Sequence, residues 1–272
     1  MRVIVTRPTQ EAAQWVRRLS DAGFGAVALP LIGVLPPPDP AAVAAAWARI
    51  AEFDAVMFVS GNAVDHFFAS KPPGAPVFGE LSATHVRAFV TGPGSLSALK
   101  RAQVDVNCID MPDRAAEQFD SEALWAVVAQ RVQPGFRVLI VRGGASHDVV
   151  DGTTSADMSV DGAGRDWFAK QVRAAGGHVE FVVSYQRRPP VLSDDERALV
   201  RQAAADGSVW LFSSSEAIGN LVASCADQSW AKAKAVVTHN RIAQVARKVG
   251  FSVVCESRPT LAALMASIES VA

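Results

Sequence analysis

The sequence has little on which cofactor, metal or nucleic-acid chemistry could be built. Its three cysteines, Cys108, Cys225 and Cys255, are odd in number and widely separated, which fits neither a disulfide framework nor a zinc motif and reads as a reducing cytoplasm. The five histidines, His66, His85, His147, His178 and His239, show no metal-ligand spacing, so no metal is expected. Formal net charge is -1 with no run of Lys or Arg, so the electrostatic footprint of a nucleic-acid binder is missing. No apolar run approaches the ~20 residues of a membrane helix, and the chain enters a strand at Val3-Ile4-Val5 without a leader-like segment. Neither nucleic acid nor a membrane is an expected partner. Gly92-Pro93-Gly94 lies between a strand and a helix, but Leu96, Ser97 and Ala98 stand where a dinucleotide fingerprint needs its third glycine. A P-loop lysine and a G-x-S-x-G nucleophile elbow are also absent.

What is present is an ordinary globular composition, half hydrophobic and 19% charged over 272 residues, enough for one large domain or two smaller ones. Short β-branched or apolar runs alternate with longer helical patterns, the arrangement of parallel sheets covered by helices. Strand Val3 to Thr6 ends at Arg7-Pro8, Thr9 is placed to cap a helix with Ala12, Trp15, Val16 and Leu19 on its apolar face, and Gly23 stops it. Further strands are expected near Gly25 to Leu29, Ala55 to Val59, Val86 to Thr91, Val104 to Ile109, Arg137 to Val141, His178 to Val183, Val209 to Phe212, Ala235 to Thr238 and Ser252 to Cys255.

An internal repeat organises these elements. Phe58-Val59-Ser60-Gly61-Asn62 parallels Phe212-Ser213-Ser214-Ser215-Glu216, and Ala88 to Thr91 parallels Ala235 to Thr238. Val5-Thr6-Arg7 parallels Ile140-Val141-Arg142, each leading through a helix to Gly25-Ala26-Val27 or Gly177-His178-Val179. Two strands precede residue 30, five lie between about 38 and 183, and three follow 190, so joining the first pair to the last three gives two five-stranded domains. The fold class expected is α/β, with two similar, mainly parallel sheets flanked by helices. The first domain would be discontinuous, residues 1–33 plus 188–272, and the second would be 38–182. Proline-bearing connectors at 31–38 and 183–190 would join them as a two-stranded ladder. Residues Gly143 to Gly164, rich in Gly, Asp, Ser and Thr, read as a long surface loop.

Small hydroxyl and glycine residues gather at the strand-to-helix turns: Thr6-Arg7, Ser60-Gly61-Asn62, Thr91-Gly92-Pro93-Gly94-Ser95, Arg142-Gly143-Gly144, Ser213-Ser214-Ser215 and Thr238-His239-Asn240. Ligands of open α/β sheets bind at that edge, where the free N–H groups of helix first turns hold carboxylates. The alternative is that these serines and threonines only cap helices. Arg7 and Arg142 could grip carboxylates bidentately or form structural ion pairs. Tyr185, the single tyrosine, sits where the second connector begins.

In order and spacing these residues resemble the uroporphyrinogen-III synthase family over nearly the whole chain: Val5 to Pro8, Phe58 to Val64, Gly92 to Ser95, Val138 to Gly143, Val183 to Tyr185, Phe212 to Ser215 and Val237 to Ala243. The resemblance implies two α/β domains with the active site in the cleft between them, acting on hydroxymethylbilane, a linear tetrapyrrole bearing acetate and propionate groups. It implies a lyase that closes the ring with inversion of its last pyrrole and loss of water, without a cofactor, as a cytoplasmic monomer of tetrapyrrole (haem) biosynthesis. It assigns Tyr185 a hydrogen-bond-donor role at the departing hydroxyl, and substrate contacts to Thr6, Arg7, Ser60, Gly61, Asn62, Gly92, Gly94, Ser95, Arg142, Gly143, Ser213, Ser214, Thr238 and Asn240. The sequence departs from the family pattern at Ser95, where threonine is more usual, and at His239-Asn240-Arg241, where Gly and Thr are common. Arg241 is a further candidate for a substrate carboxylate. A cofactor-free small-molecule binding protein with two similar lobes is the competing class.

Overall fold

The computed structural model describes residues 1–75, 85–113, 119–145 and 163–271. In chain order, β1 (Arg2–Val5), α1 (Thr9–Asp21), β2 (Gly25–Ala28) and β3 (Gly33–Leu35) come first. Then follow α2 (Pro40–Ala48), β4 (Ala55–Phe58), α3 (Gly61–Ala69), β5 (Arg87–Val90), α4 (Pro93–Arg101) and β6 (Ile109–Asp110). Next are α5 (Ser121–Val128), β7 (Arg137–Ala145), α6 (Ala163–Ala174) and β8 (His178–Arg188). The chain closes with α7 (Asp194–Ala205), β9 (Val209–Phe212), α8 (Ser215–Ser224), β10 (Lys234–Val237), α9 (Asn240–Val249), β11 (Val253–Glu256) and α10 (Leu261–Ser270). Two compact units result: Met1–Val34 with Arg188–Ala272, and Leu35–Arg187.

The first unit holds a parallel sheet ordered β11-β10-β9-β1-β2. Its strands are short apolar runs because both faces are covered by helices. Ile4, Trp210 and Phe212 point to one core with Trp230 and Phe251, while Val3, Val5, Val209 and Leu211 point to the other with Leu19 and Leu264. The two-residue alternation of a strand divides neighbours between those cores.

In the second unit the order is β3-β8-β7-β4-β5-β6. Five of these strands, read β6-β5-β4-β7-β8, follow the same order as β11-β10-β9-β1-β2, so the sequence repeat is a repeat of topology, and β3 adds a sixth strand beside β8. Trp47 of α2 stacks on Phe67 of α3 with ring centroids 4.5 Å apart. Its indole N–H donates to the Phe67 carbonyl at 2.9 Å. Phe58 of β4 meets the same Phe67 edge-on at 5.7 Å, so aromatic packing from two elements fixes α3.

Several sequence expectations shift. Thr9 is not a cap: Pro8 occupies the N-cap position of α1 without a side-chain hydrogen bond, because its fixed φ already turns the chain into the helix. The strand expected from Val104 is shorter. Asp105 accepts from the backbone N–H of Asn107 and turns Val106–Cys108 into a 3-10 helix, leaving Ile109–Asp110 to pair with β5. The strand expected from His178 to Val183 and the connector strand expected from 183 are one continuous element, β8, which runs to Arg188. The register sets Gly25 against Arg2 and His178 against Arg137, so β2 and β8 align one residue away from the Gly25–Gly177 pairing read from sequence. Of the loop expected from Gly143 to Gly164, Gly143–Ala145 belong to β7 and Ala163–Gly164 to α6; residues 146–162 lie outside the described residues.

Candidate functional site

In the second unit, a β-bulge assembles the densest group of expected site residues. Arg142 pairs with Val183, but Gly143 pairs with Tyr185, so Ser184 is an extra residue on β8. An unpaired residue of this kind re-aims the side chains that follow it. The Ser184 side chain is fully buried and its hydroxyl donates to the Ala63 carbonyl of α3 at 3.2 Å. Tyr185, 5% exposed, is thereby presented to the N-terminal end of α3.

There its phenolic oxygen lies 3.1 Å from the Ser60 hydroxyl, with either group able to donate. Ser60 is the N-cap of α3 and already accepts from the backbone N–H of Ala63 at 3.1 Å. That bond occupies one lone pair and leaves the serine its proton to give. Gly143 is required by the phenol. A Cβ at this position would lie 2.5 Å from Tyr185 Cζ and 2.8 Å from its hydroxyl oxygen, distances no side chain tolerates. The His66 ring, nearly two turns along α3, stacks on Tyr185 at 5.7 Å and 25°. Burial holds the His66 imidazole below its ordinary range, with Asp65 opposing.

Neighbouring turns extend this edge. A Cβ on Gly61 would lie 3.4 Å from the Gly94 carbonyl oxygen, so the first turns of α3 and α4 approach closely. Among the described residues no side chain caps helix α4 at Gly92, and the backbone N–H groups of a helix first turn suit an anion or water. Gly94 is exposed and Ser95 buried. Asn62 lies in the first turn of α3. Arg142 places its guanidinium 5.2 Å from the centre of Phe181, and its buried Nε has no hydrogen-bond acceptor among the described residues.

The remaining candidates belong to the first unit. Thr6 is buried, and its hydroxyl donates to the Leu211 carbonyl at 2.6 Å, so that proton is committed within the sheet. Arg7 is held by Glu11 at 3.0 Å and lies over Trp15 at 4.7 Å. Ser214 caps α8 through the Glu216 N–H, with Ser213 just before it. Thr238 closes β10 on the Phe212 carbonyl. His239 then caps α9, its Nδ1 accepting from the Arg241 N–H at 3.1 Å, and Asn240 begins the helix. The buried Ser215 hydroxyl and Arg241 Nε have no hydrogen-bond partner among the described residues. Ser184 and His66 carried no expectation from sequence. The hint for His66 is its spacing of six from Ser60, about 120° around one helix, but only the bulge shows what that arc meets.

The Uroporphyrinogen-III synthase HemD family model matches residues 13–163 and 160–266. No curated protein matches the chain in sequence. Among solved structures, a mutant uroporphyrinogen III synthase from the extremely thermophilic bacterium Thermus thermophilus aligns at TM-score 0.53 and 14% identity, over 100% of this chain and 98% of that one. Uroporphyrinogen-III synthetase from Helicobacter pylori aligns at 0.54 and 14% identity, over 100% of both chains. At these identities the structural likeness speaks for the fold, and no helix among the described residues is long and apolar enough to cross a membrane.

Proposed function

This chain belongs to the uroporphyrinogen-III synthase family, and from that premise we propose that it cyclises hydroxymethylbilane with inversion of the terminal pyrrole and loss of one water. The observation that carries the reading is the family match across both halves of the chain. The contact between Tyr185 and Ser60 supports the assignment of roles.

In the proposed reaction, Tyr185 donates to the terminal hydroxyl of the bilane as its C–O bond breaks. The pyrrole nitrogen supplies the electron pair, and water departs. The resulting azafulvene is attacked by the substituted carbon of the last ring, and the spirocyclic pyrrolenine formed rearranges to the inverted macrocycle. The pyrroles provide the reactivity, so the protein's contribution is orientation and donors at the departing oxygen and the carboxylates. If Ser60 gives its proton to the Tyr185 oxygen, the phenol becomes a stronger donor, since hydrogen bonds in a chain polarise one another. The first turns of α3 and α4, with Gly61, Asn62, Gly92, Gly94, Ser95 and Arg142, are the proposed carboxylate holders of the second unit. Arg7, Ser213, Ser214, Thr238 and Asn240 are those of the first, with Thr6 and Gly143 supporting their neighbours. The proposed enzyme is a cytoplasmic monomer of the lyase class.

The test is to supply freshly prepared hydroxymethylbilane and separate the oxidised porphyrin isomers by chromatography. Predominant isomer III is expected. Isomer I alone, the product of uncatalysed closure, from a folded preparation would overturn the synthase reading and favour a two-lobed binding protein.

A further inference from the structure

Helix α3 meets the bulged end of β8 through a single stripe. At 100° per residue, Ser60, Ala63 and His66 fall within about 120° of the helix circumference, and each engages the bulge. Ser60 reaches the phenolic oxygen at 3.1 Å, the Ala63 carbonyl accepts from Ser184 at 3.2 Å, and the His66 ring lies nearly parallel to the Tyr185 ring at 5.7 Å. The hydroxyl contact fixes the tip of the tyrosine and the buried Ser184 fixes its backbone. Neither sets the plane of the ring.

Among the described residues, Gly143 and His66 bear on that plane. Gly143 leaves room where a side chain would strike Cζ and Cε2, and His66 sets an aromatic face against the phenol. Neither nitrogen of the His66 ring has a hydrogen-bond partner among the described residues, so the imidazole acts through its face.

We propose that His66 is a positioning residue for Tyr185, its ring holding the phenol in the plane from which the hydroxyl addresses the bilane. The inference rests on the donor role given to Tyr185 above. A phenol free to turn away loses the alignment on which donation depends, and a stack of this kind is worth up to about a tenfold effect.

The chain contains a single tyrosine, so its ring can be observed by itself. With ring-13C-tyrosine incorporated, the 272-residue chain is expected to give one sharp set of ring signals. His66→Ala should give a broadened or doubled set, and His66→Phe, which keeps the face and removes the nitrogens, should return the single set. In turnover, His66→Ala should lower kcat about tenfold with KM within about twofold, and His66→Phe should restore most of the rate. In the Tyr185→Phe background, His66→Ala should cost nothing more, because the hydroxyl it aligned is gone. An unaltered single set of signals in His66→Ala, or an equal loss of kcat in both backgrounds, would overturn the inference. The spectra need no substrate, so they decide the placement of the ring even if the wild type yields only isomer I and the synthase reading fails.

Discussion

The two units answer the same structural question differently at one equivalent position. Strand register makes Arg7 the counterpart of Arg142, so Pro8 in the first unit stands where Gly143 stands in the second. Proline has no N–H to continue a ladder. Accordingly, β1 stops at Val5 and the chain turns into α1, with the Pro8 carbonyl accepting from Ala12 at 2.8 Å. Glycine permits both a further run of strand and the close approach of a ring, so β7 continues to Ala145 and β8 carries Tyr185 across it. Both repeats thus carry a serine-capped helix and an arginine at equivalent turns, and the second adds a bulge and a phenol. The proposed carboxylate-holding turns occur in both repeats and the proposed proton donor in one.

The sharpest way to break this contrast is Tyr185→Phe. If the donor resides in the second unit alone, turnover should fall by roughly 10² to 10⁴ while the urea midpoint stays within error. An unchanged rate would remove the distinction. Next is Gly143→Ala, which puts a methyl group where the phenol lies. An expected loss of about 10² in kcat, with normal far-ultraviolet dichroism, would show that the glycine serves the ring rather than the fold. Wild-type turnover would show that β7 can shift to admit the methyl.

A paired substitution then compares the two N-caps. Ser60→Ala and Ser214→Ala each remove a cap, so each should cost about 1 kcal/mol of stability by denaturant titration. Ser60 also touches the phenol, so Ser60→Ala should lower kcat several-fold, whereas Ser214→Ala should act mainly on KM. Equal kcat losses would erase the asymmetry between the units.

The smallest effect concerns pH. His66 is held below its ordinary value of 6.5 by burial, so the unfolded chain takes up the proton more readily than the folded one. The stability associated with neutral His66 is therefore complete above about pH 6.5 and is lost as pH falls toward the depressed folded value. His66→Phe should flatten the decline in urea midpoint between about pH 8 and pH 5. Parallel curves for both proteins would mean that Asp65, paired with Arg101 at 3.0 Å, compensates the imidazole fully.

Much of the fold was legible because runs such as Val3-Ile4-Val5 and Val209 to Phe212 can only be strands covered on both faces, and because the repeat kept its order. Elements whose character comes from a partner were not. Gly33–Leu35, inside the connector expected to form a ladder, is a three-residue strand beside β8, and its bounds come from that partner rather than from an apolar pattern of its own. In the same way Tyr185, Ser60 and Gly143 could be named from turns and resemblance, but their meeting depends on the extra residue at Ser184. A one-residue change of register exchanges the faces of a strand, and nothing in Val-Ser-Tyr marks which residue is unpaired. His66 was hidden for the same reason, since the helix face it occupies becomes informative only once the bulge is placed.

The bond from Thr6 to Leu211, 205 residues apart in the chain, has a consequence for the order of synthesis. At ribosomal speeds of about 5–20 residues per second, β1 emerges roughly 10–40 s before the strand that must lie beside it. Throughout that interval Val3, Ile4 and Val5, all buried in the finished protein, have no β9 beside them, while strands β4 to β8 emerge one after another. The nascent chain therefore carries an exposed apolar strand while the second unit is being made, and a holdase or a quick translational finish would protect it.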